Sequence, residues 1–200
     1  MIINNLILQT DNIFLKPLQV NDVTEEYVEG LNDPEVNRYL VAVRQHHQTK
    51  DSVARYVKAD WEDPHSILFG IFLKQRKNPL IGTVRVHNID YFHFSASIGI
   101  CLFAKREWKK GYAHSALQLI KKYLFEDIKL HYLEAGIYSD NLNSINCFLK
   151  SGFVEQHRVT EKYRHIDSFK EVTIFAAINL LFDSAMLRIT NDDNQLKERC

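Results

Sequence analysis

Apolar residues recur at helical spacing near the N-terminus, at strand spacing through the middle, and at both in turn toward the C-terminus. Residues 12–18, NIFLKPL, read as a first strand. Asp22 can cap a helix, with Glu25 three residues on, and Tyr27, Val28 and Leu31 then share one face. Asp33-Pro34 restarts a helix with Val36, Tyr39 and Leu40 as its apolar stripe, because proline suits a first helical position. Residues 41–48, VAVRQHHQ, lack a period and read as a loop. Thr49 caps a third helix with Val53, Tyr56 and Val57 inward, and Asp63-Pro64 ends it. Three strands follow. Ile67–Leu73 is apolar throughout, as in a strand covered on both faces. Lys77-Asn78-Pro79 turns into Leu80–His87, and Phe94–Phe103 comes next, with Phe94, Ala96, Ile98, Ile100 and Leu102 on one face. A helix from about Ala113 to Phe125 carries Leu117, Ile120 and Leu124 at helical spacing. Strand Tyr132–Tyr138, a short helix Ser144–Lys150 stopped by Gly152, and strands near Phe153–Thr160 and Phe169–Asn179 complete the order. That succession predicts one mixed α/β domain.

The 200 residues suffice for one well-buried core and are few for two. Lys+Arg and Asp+Glu balance at 25 each, so no charge excess points to nucleic acid or to an anionic membrane. Cys101, Cys147 and Cys200 are odd in number and widely spaced, which argues against a disulfide framework and a zinc site. A reducing cytoplasm is the compartment expected. The opening MIINNLILQTDNIFLK lacks the basic region and long apolar core of a signal peptide, and runs such as ILFGIFL are too short to span a bilayer. His46-His47 has no acidic neighbour, so no metal site is expected there.

The most informative segment is WKKGYA, Trp108 to Ala113, between a strong strand and a strong helix. A loop there can present successive backbone N–H groups in one concave nest, and the helix that follows aims its positive end at the same point. Gly111 and Ala113 are small enough for close approach of an anion, and Lys109 and Lys110 add charge. The same glycine also suits a simple tight connection. The segment resembles the acetyl-CoA loop of GNAT acetyltransferases, Gln/Arg-x-x-Gly-x-Gly/Ala, and within them the RimJ/RimL-type branch, where the loop often reads Trp-Gly-Lys-Gly-Tyr-Ala. The likeness extends upstream to LIGTVRVHNID and ASIGICL, downstream to NLNSINCFLKSGF at 141–153, and to the opening LKPLQVNDVTEEY. It covers roughly residues 12–180 in family order. The chain departs from the family at Trp108 and Lys109 of the loop, at Ser97 where Glu is common, at Ala113-His114-Ser115-Ala116 where a Glu is usual, and at Phe148 where a tyrosine often serves as general acid.

The resemblance implies a GNAT acyltransferase fold, a mixed and mostly antiparallel sheet flanked by helices, over residues 1–182, with a polar tail at 183–200. It implies direct attack of an amine on the thioester of acetyl-CoA, the cosubstrate, with no covalent enzyme intermediate. Trp108, Lys109, Lys110, Gly111, Tyr112, Ala113 and His114 would hold the pyrophosphate. Backbone groups of Ile100, Cys101, Leu102 and Phe103 would hold the pantetheine arm, and one N–H there would polarise the thioester carbonyl. Asn141 and Ser144 would lie along the arm, with Phe148 as an apolar wall. Ser97, His87 and Glu134 are the candidates for the base that keeps the amine neutral, and each also fits an ordinary strand position. Residues 30–48 and 157–170 would be acceptor loops, the second bringing Arg158, Lys162, Tyr163, Arg164 and His165 toward an anionic acceptor. Three readings follow: acetylation of a small-molecule amine such as an amino sugar, acetylation of protein N-termini, or a CoA-binding module without catalysis. A monomer or a homodimer is expected.

Overall fold

The computed structural model describes residues 6–188 apart from 76, 78, 166 and 167. Eight strands form one sheet in the order β1-β2-β3-β4-β5-β6-β8-β7. They are β1 (Leu8–Gln9), β2 (Ile13–Pro17), β3 (Ile67–Leu73), β4 (Leu80–Asp90), β5 (Ser95–Leu102), β6 (Tyr132–Tyr138), β7 (Val154–His165) and β8 (Ser168–Ile178). Among the described residues only β5 and β6 run parallel. The helices are α1 (Glu25–Asn32), α2 (Val41–Arg44), α3 (Lys50–Glu62), α4 (Tyr112–Glu126) and α5 (Leu142–Lys150). This is the mixed, mostly antiparallel sheet between helices that the sequence predicts. Among the described residues no helix is long and apolar enough to cross a membrane.

Period-two alternation gives each central strand two apolar faces. Toward α4, fully buried Ala116, Leu117, Ile120 and Leu124 pack on Val84, Val86, Ile98, Leu133 and Phe175. Toward α1 and α3, Tyr27, Val28, Leu31, Val53 and Val57 pack on Leu68, Phe72 and Phe103. Gly30 lets α1 lie directly on Phe103, where an added Cβ would meet the Phe103 Cβ at 2.8 Å. That contact fixes α1 over the end of β5.

Several expected elements are corrected. Thr24, not Asp22, caps α1: its hydroxyl accepts from the Tyr27 N–H at 3.2 Å, while Asp22 pairs with Lys16 at 2.7 Å. After Pro34 the chain makes only a 3-10 turn at Asn37–Tyr39. Residues 41–44 are a helical turn rather than loop, because Leu40 and Val43 are drawn onto the α1–α3 core. Phe94 leaves the strand face at φ +52 and stacks edge-on against Phe182. The expected acceptor loop at 157–170 is largely the paired strands β7 and β8. The Lys77–Pro79 turn includes residue 78, outside the described residues, as are 189–200 of the expected tail.

Candidate functional site

The sheet divides at its centre. Strands β5 and β6 pair only at Ser95, Ala96 and Ser97 with Tyr132, Leu133 and Glu134. Beyond Ser97, β5 continues along β4 to Leu102, and β6 continues along β8 to Tyr138. The gap between them opens into a cavity of about 680 Å³ that reaches from the α1–α3 side to α5. Ile98, Ile100 and Cys101 line one flank, Gly136, Ile137 and Tyr138 the other, and Asn141, Ser144 and Phe148 the α5 end. Asn141 caps α5 by accepting the Ser144 N–H on Oδ1 at 3.3 Å. Its Nδ2 has no hydrogen-bond partner among the described residues.

At the far end of β5 the chain turns sharply into α4. Trp108 Nε1 donates to the Leu102 carbonyl at 2.7 Å, which ties the loop to the last strand residue. Lys109 and Gly111 both take left-handed conformations, at φ +61 and +85. Nothing lies within 4 Å of the position a Gly111 Cβ would take, so the space above the turn is open. The first α4 hydrogen bond closes from Ser115 N to Gly111 O at 3.0 Å. The N–H groups of Tyr112, Ala113 and His114 precede it and have no partner among the described residues. The helix dipole adds to these donors; Lys110 in the same turn is held by Glu107 at 3.0 Å, and Lys109 has no ion-pair partner among the described residues. His114 Nδ1 bonds the Ser151 hydroxyl at 3.0 Å, linking α4 to the end of α5. A turn with unpartnered backbone donors thus stands beside the gap, a geometry that would suit the pyrophosphate the resemblance implies.

The three candidate bases are not equivalent. Ser97 and Glu134 face one another at the last β5–β6 pair, outside the cavity lining. The Ser97 hydroxyl accepts weakly from Asn88 at 3.5 Å. His87 lines the cavity. Burial, then the nearby Arg85 charge, hold the His87 pKa below its ordinary value, so its ring is neutral and can accept a proton. Burial pushes the Cys101 thiol up to about 12 and raises that of Cys147, which rules out either as a ready nucleophile. Among the described residues no His, Cys, Asp and Glu cluster could hold a metal.

The basic cluster near 157–165 does not converge on the cavity. Arg158 pairs with Glu155 at 2.8 Å and lies 3.7 Å from Glu171. Lys162 sits over the Tyr163 ring. Of the cluster, only Tyr163 lines the cavity. His165 instead bonds the Arg38 carbonyl at 2.9 Å and joins Tyr39 and Tyr138 in a ring cluster at the rim. Phe148 lines the cavity yet is 2% exposed and packs edge-on against Phe153, so it belongs to the core as much as to the cleft.

Sequence reading passed over Arg85, which lines the cavity, and Asp60, which anchors it, and took Tyr56, also in the lining, only as an inward helix residue. The signal was the polar alternation Thr83, Arg85, His87 within an apolar strand, which places all three on one face.

Residues 12–154 match the acetyltransferase (GNAT) domain model. The chain is 25% identical over 181 residues to the probable N-acetyltransferase YjcK of Bacillus subtilis, covering 86% of this chain and 97% of that protein. A GNAT-family acetyltransferase from Bacillus anthracis superposes with a TM-score of 0.76 at 21% identity, over 87% of this chain and 99% of that one. Spermidine N-acetyltransferase from Vibrio cholerae, in complex with CoA and spermine, superposes at 0.75 with 19% identity, over 85% and 97%.

Proposed function

The chain belongs to the GNAT acetyltransferase family, and from that premise we propose that it transfers the acetyl group of acetyl-CoA directly to a primary amine held in the β5–β6 cavity. The observation that carries this reading is the coincidence of the two features at β5: the sheet opens along Ile98–Leu102, and the unpaired N–H groups of the α4 turn lie just past its end.

The residues of the turn, Trp108–His114, bind the pyrophosphate mainly through backbone donors, so the departures at Trp108 and Lys109 leave that function in place. Backbone groups of Ile100–Phe103 and the free Nδ2 of Asn141 hold the pantetheine arm. Bound acetyl-CoA supplies a thioester whose C–S bond breaks as the amine forms the new C–N bond, giving an amide and the CoA thiolate while one proton leaves nitrogen. His87, neutral and facing the cavity, takes that proton directly or through water. An N–H of Ile100–Phe103 steadies the charge that develops on the carbonyl oxygen. Phe148 cannot protonate the leaving sulfur. Ser144, one helical turn earlier on α5, brings a hydroxyl to the same cavity, and a thiol with a reference pKa near ~8.5 leaves readily without a strong acid.

The acceptor is a small molecule in this reading, because the rings of Tyr39, Tyr138 and His165 narrow the rim. The placement in the RimJ/RimL-type branch rests on the loop WKKGYA and does not by itself require a protein acceptor. The test is acetyl-CoA binding by thermal shift and calorimetry, followed by thiol release with a panel of amino acids, amino sugars, polyamines and peptides. Absence of both stabilisation and binding heat would overturn the cosubstrate assignment. Turnover with peptides alone would overturn the small-molecule reading.

A further inference from the structure

We infer that the acceptor carries a carboxylate close to its reactive amine and an apolar or aromatic body, an inference that rests on the transferase reading above. Among the described residues the cavity has one permanently charged side chain in its lining, Arg85, and no Asp, Glu or Lys. A polyamine would bring two or more cations into a space with no anion to receive them, and uncompensated burial of charge is costly. An acceptor with its own anion meets the opposite situation.

Arg85 is built as a receptor. Its Nε donates to Asp60 Oδ1 at 2.7 Å, and the Asp60 side chain is 2% exposed. The Ser66 hydroxyl donates to the same oxygen and holds it in place. The guanidinium carbon lies over the Tyr56 ring, 5.5 Å from its centre, a second contact on the group. Asp60 therefore grips the guanidinium at Nε, and among the described residues the two Nη nitrogens have no hydrogen-bond partner. A guanidinium positioned with its paired donors free matches a carboxylate in two parallel hydrogen bonds. His87 stands two residues further along the same strand face, roughly 6.6 Å away by strand rise. A carboxylate on Arg85 then leaves an amine on a neighbouring carbon between Arg85 and His87, facing the gap. Tyr27, Leu31, Val53 and Tyr56 surround the remaining space and suit an apolar or aromatic side chain. The class that meets all three demands is an α-amino acid with such a side chain.

Matched acceptors test this on the intact protein. With saturating acetyl-CoA, thiol release is measured for phenylalanine against phenylalaninamide, leucine against leucinamide, and for spermidine and glucosamine. The acids should exceed their amides in kcat/KM by at least about tenfold, the size of one charge-assisted contact. In the double variant Arg85→Gln with Asp60→Asn, which leaves no lone buried charge, the acid-to-amide ratio should fall to near one while the acetyl-CoA KM holds. Amides equal to acids in the native protein, a faster reaction with spermidine or glucosamine, or an undiminished ratio in the double variant would each overturn the inference. If the double variant does not fold, the native acid–amide comparison decides alone. Acetyl-CoA that fails to raise the melting temperature defeats the transferase reading itself, whereas stabilisation without preference for the acid defeats only the acceptor class.

Discussion

His87, the proposed base, shows how a strand position could acquire a chemical role. Its ring is partly withdrawn from water beside a fixed guanidinium, and both effects disfavour the imidazolium. A base with a depressed pKa is already deprotonated near neutrality. The acid limb of kcat/KM against pH should therefore fall below the reference histidine value of ~6.5. His87→Gln should lower kcat about a hundredfold, flatten that limb and spare the acetyl-CoA KM. A stability effect follows from the same shift: the folded state binds fewer protons than the unfolded chain, so this contribution is present at neutral pH and is lost as pH falls from the unfolded toward the folded pKa. An unmoved limb in the variant would assign the proton to water or another group. Phe148 makes a different point. The resemblance assigns it to the cofactor wall, but its burial against Phe153 means that Phe148→Ala should cost about 3–5 kcal/mol of stability in addition to weakening acetyl-CoA binding. Chemical denaturation beside calorimetry separates the two losses. Gly111, with open space above it at φ +85, should accept Asp with the fold intact and acetyl-CoA binding abolished, because left-handed backbone is tolerated best by Gly, Asn and Asp.

At the scale of elements, the proposed cofactor site would make α5 join stability to binding through one amide. Asn141 uses Oδ1 as the helix cap and leaves Nδ2 toward the cavity. Asn141→Asp keeps the cap and deletes the donor, so it should hold the melting temperature and weaken acetyl-CoA binding about tenfold, one charge-free or weakly assisted contact. Asn141→Ala should lose that contact and also about 1 kcal/mol of stability. Equal affinities for the Asp variant and the native protein would remove Asn141 from the cofactor site. Long periodic elements were legible in sequence: α3 with its Thr49 cap, α4 with Leu117, Ile120 and Leu124, and the meander β3–β5 all lie where the pattern puts them. Short elements were not. The turn at Val41–Arg44 has too few residues to show a period, and its helical form depends on Leu40 and Val43 reaching a core built from elsewhere in the chain. The polar run at 157–165 looks like a loop because β7 lies at the sheet edge, where most of its side chains meet water.

Across the whole molecule, the two halves of the site differ in how sequence encodes them. The loop Trp108–His114 is contiguous, so its nest of donors can be read from six or seven letters. The Arg85 receptor joins Asp60, Ser66 and Arg85 across 25 residues, and only pairing of β3 with β4 and packing of α3 assemble it. Acetyl-CoA at a hundred times its Kd should stabilise the fold by about 2.7 kcal/mol, which for a domain of this size raises Tm by roughly 5–10 °C. The division of the sheet has a mechanical consequence as well. Eight strands stitched at mid-width by three residue pairs amount to two stiff plates on a short hinge, with the hinge at Ser95–Ser97. Without a ligand the plates should breathe about that hinge, and the amides of Ile98–Leu102 that face the open seam should exchange with solvent long before those shared with β4. A pantetheine arm laid along the seam acts as a missing strand and splints the plates together. Hydrogen exchange read by mass spectrometry should then show protection at Ile98–Leu102 on adding acetyl-CoA, and equal exchange with and without it would mean that α4 and α5 already clamp the hinge.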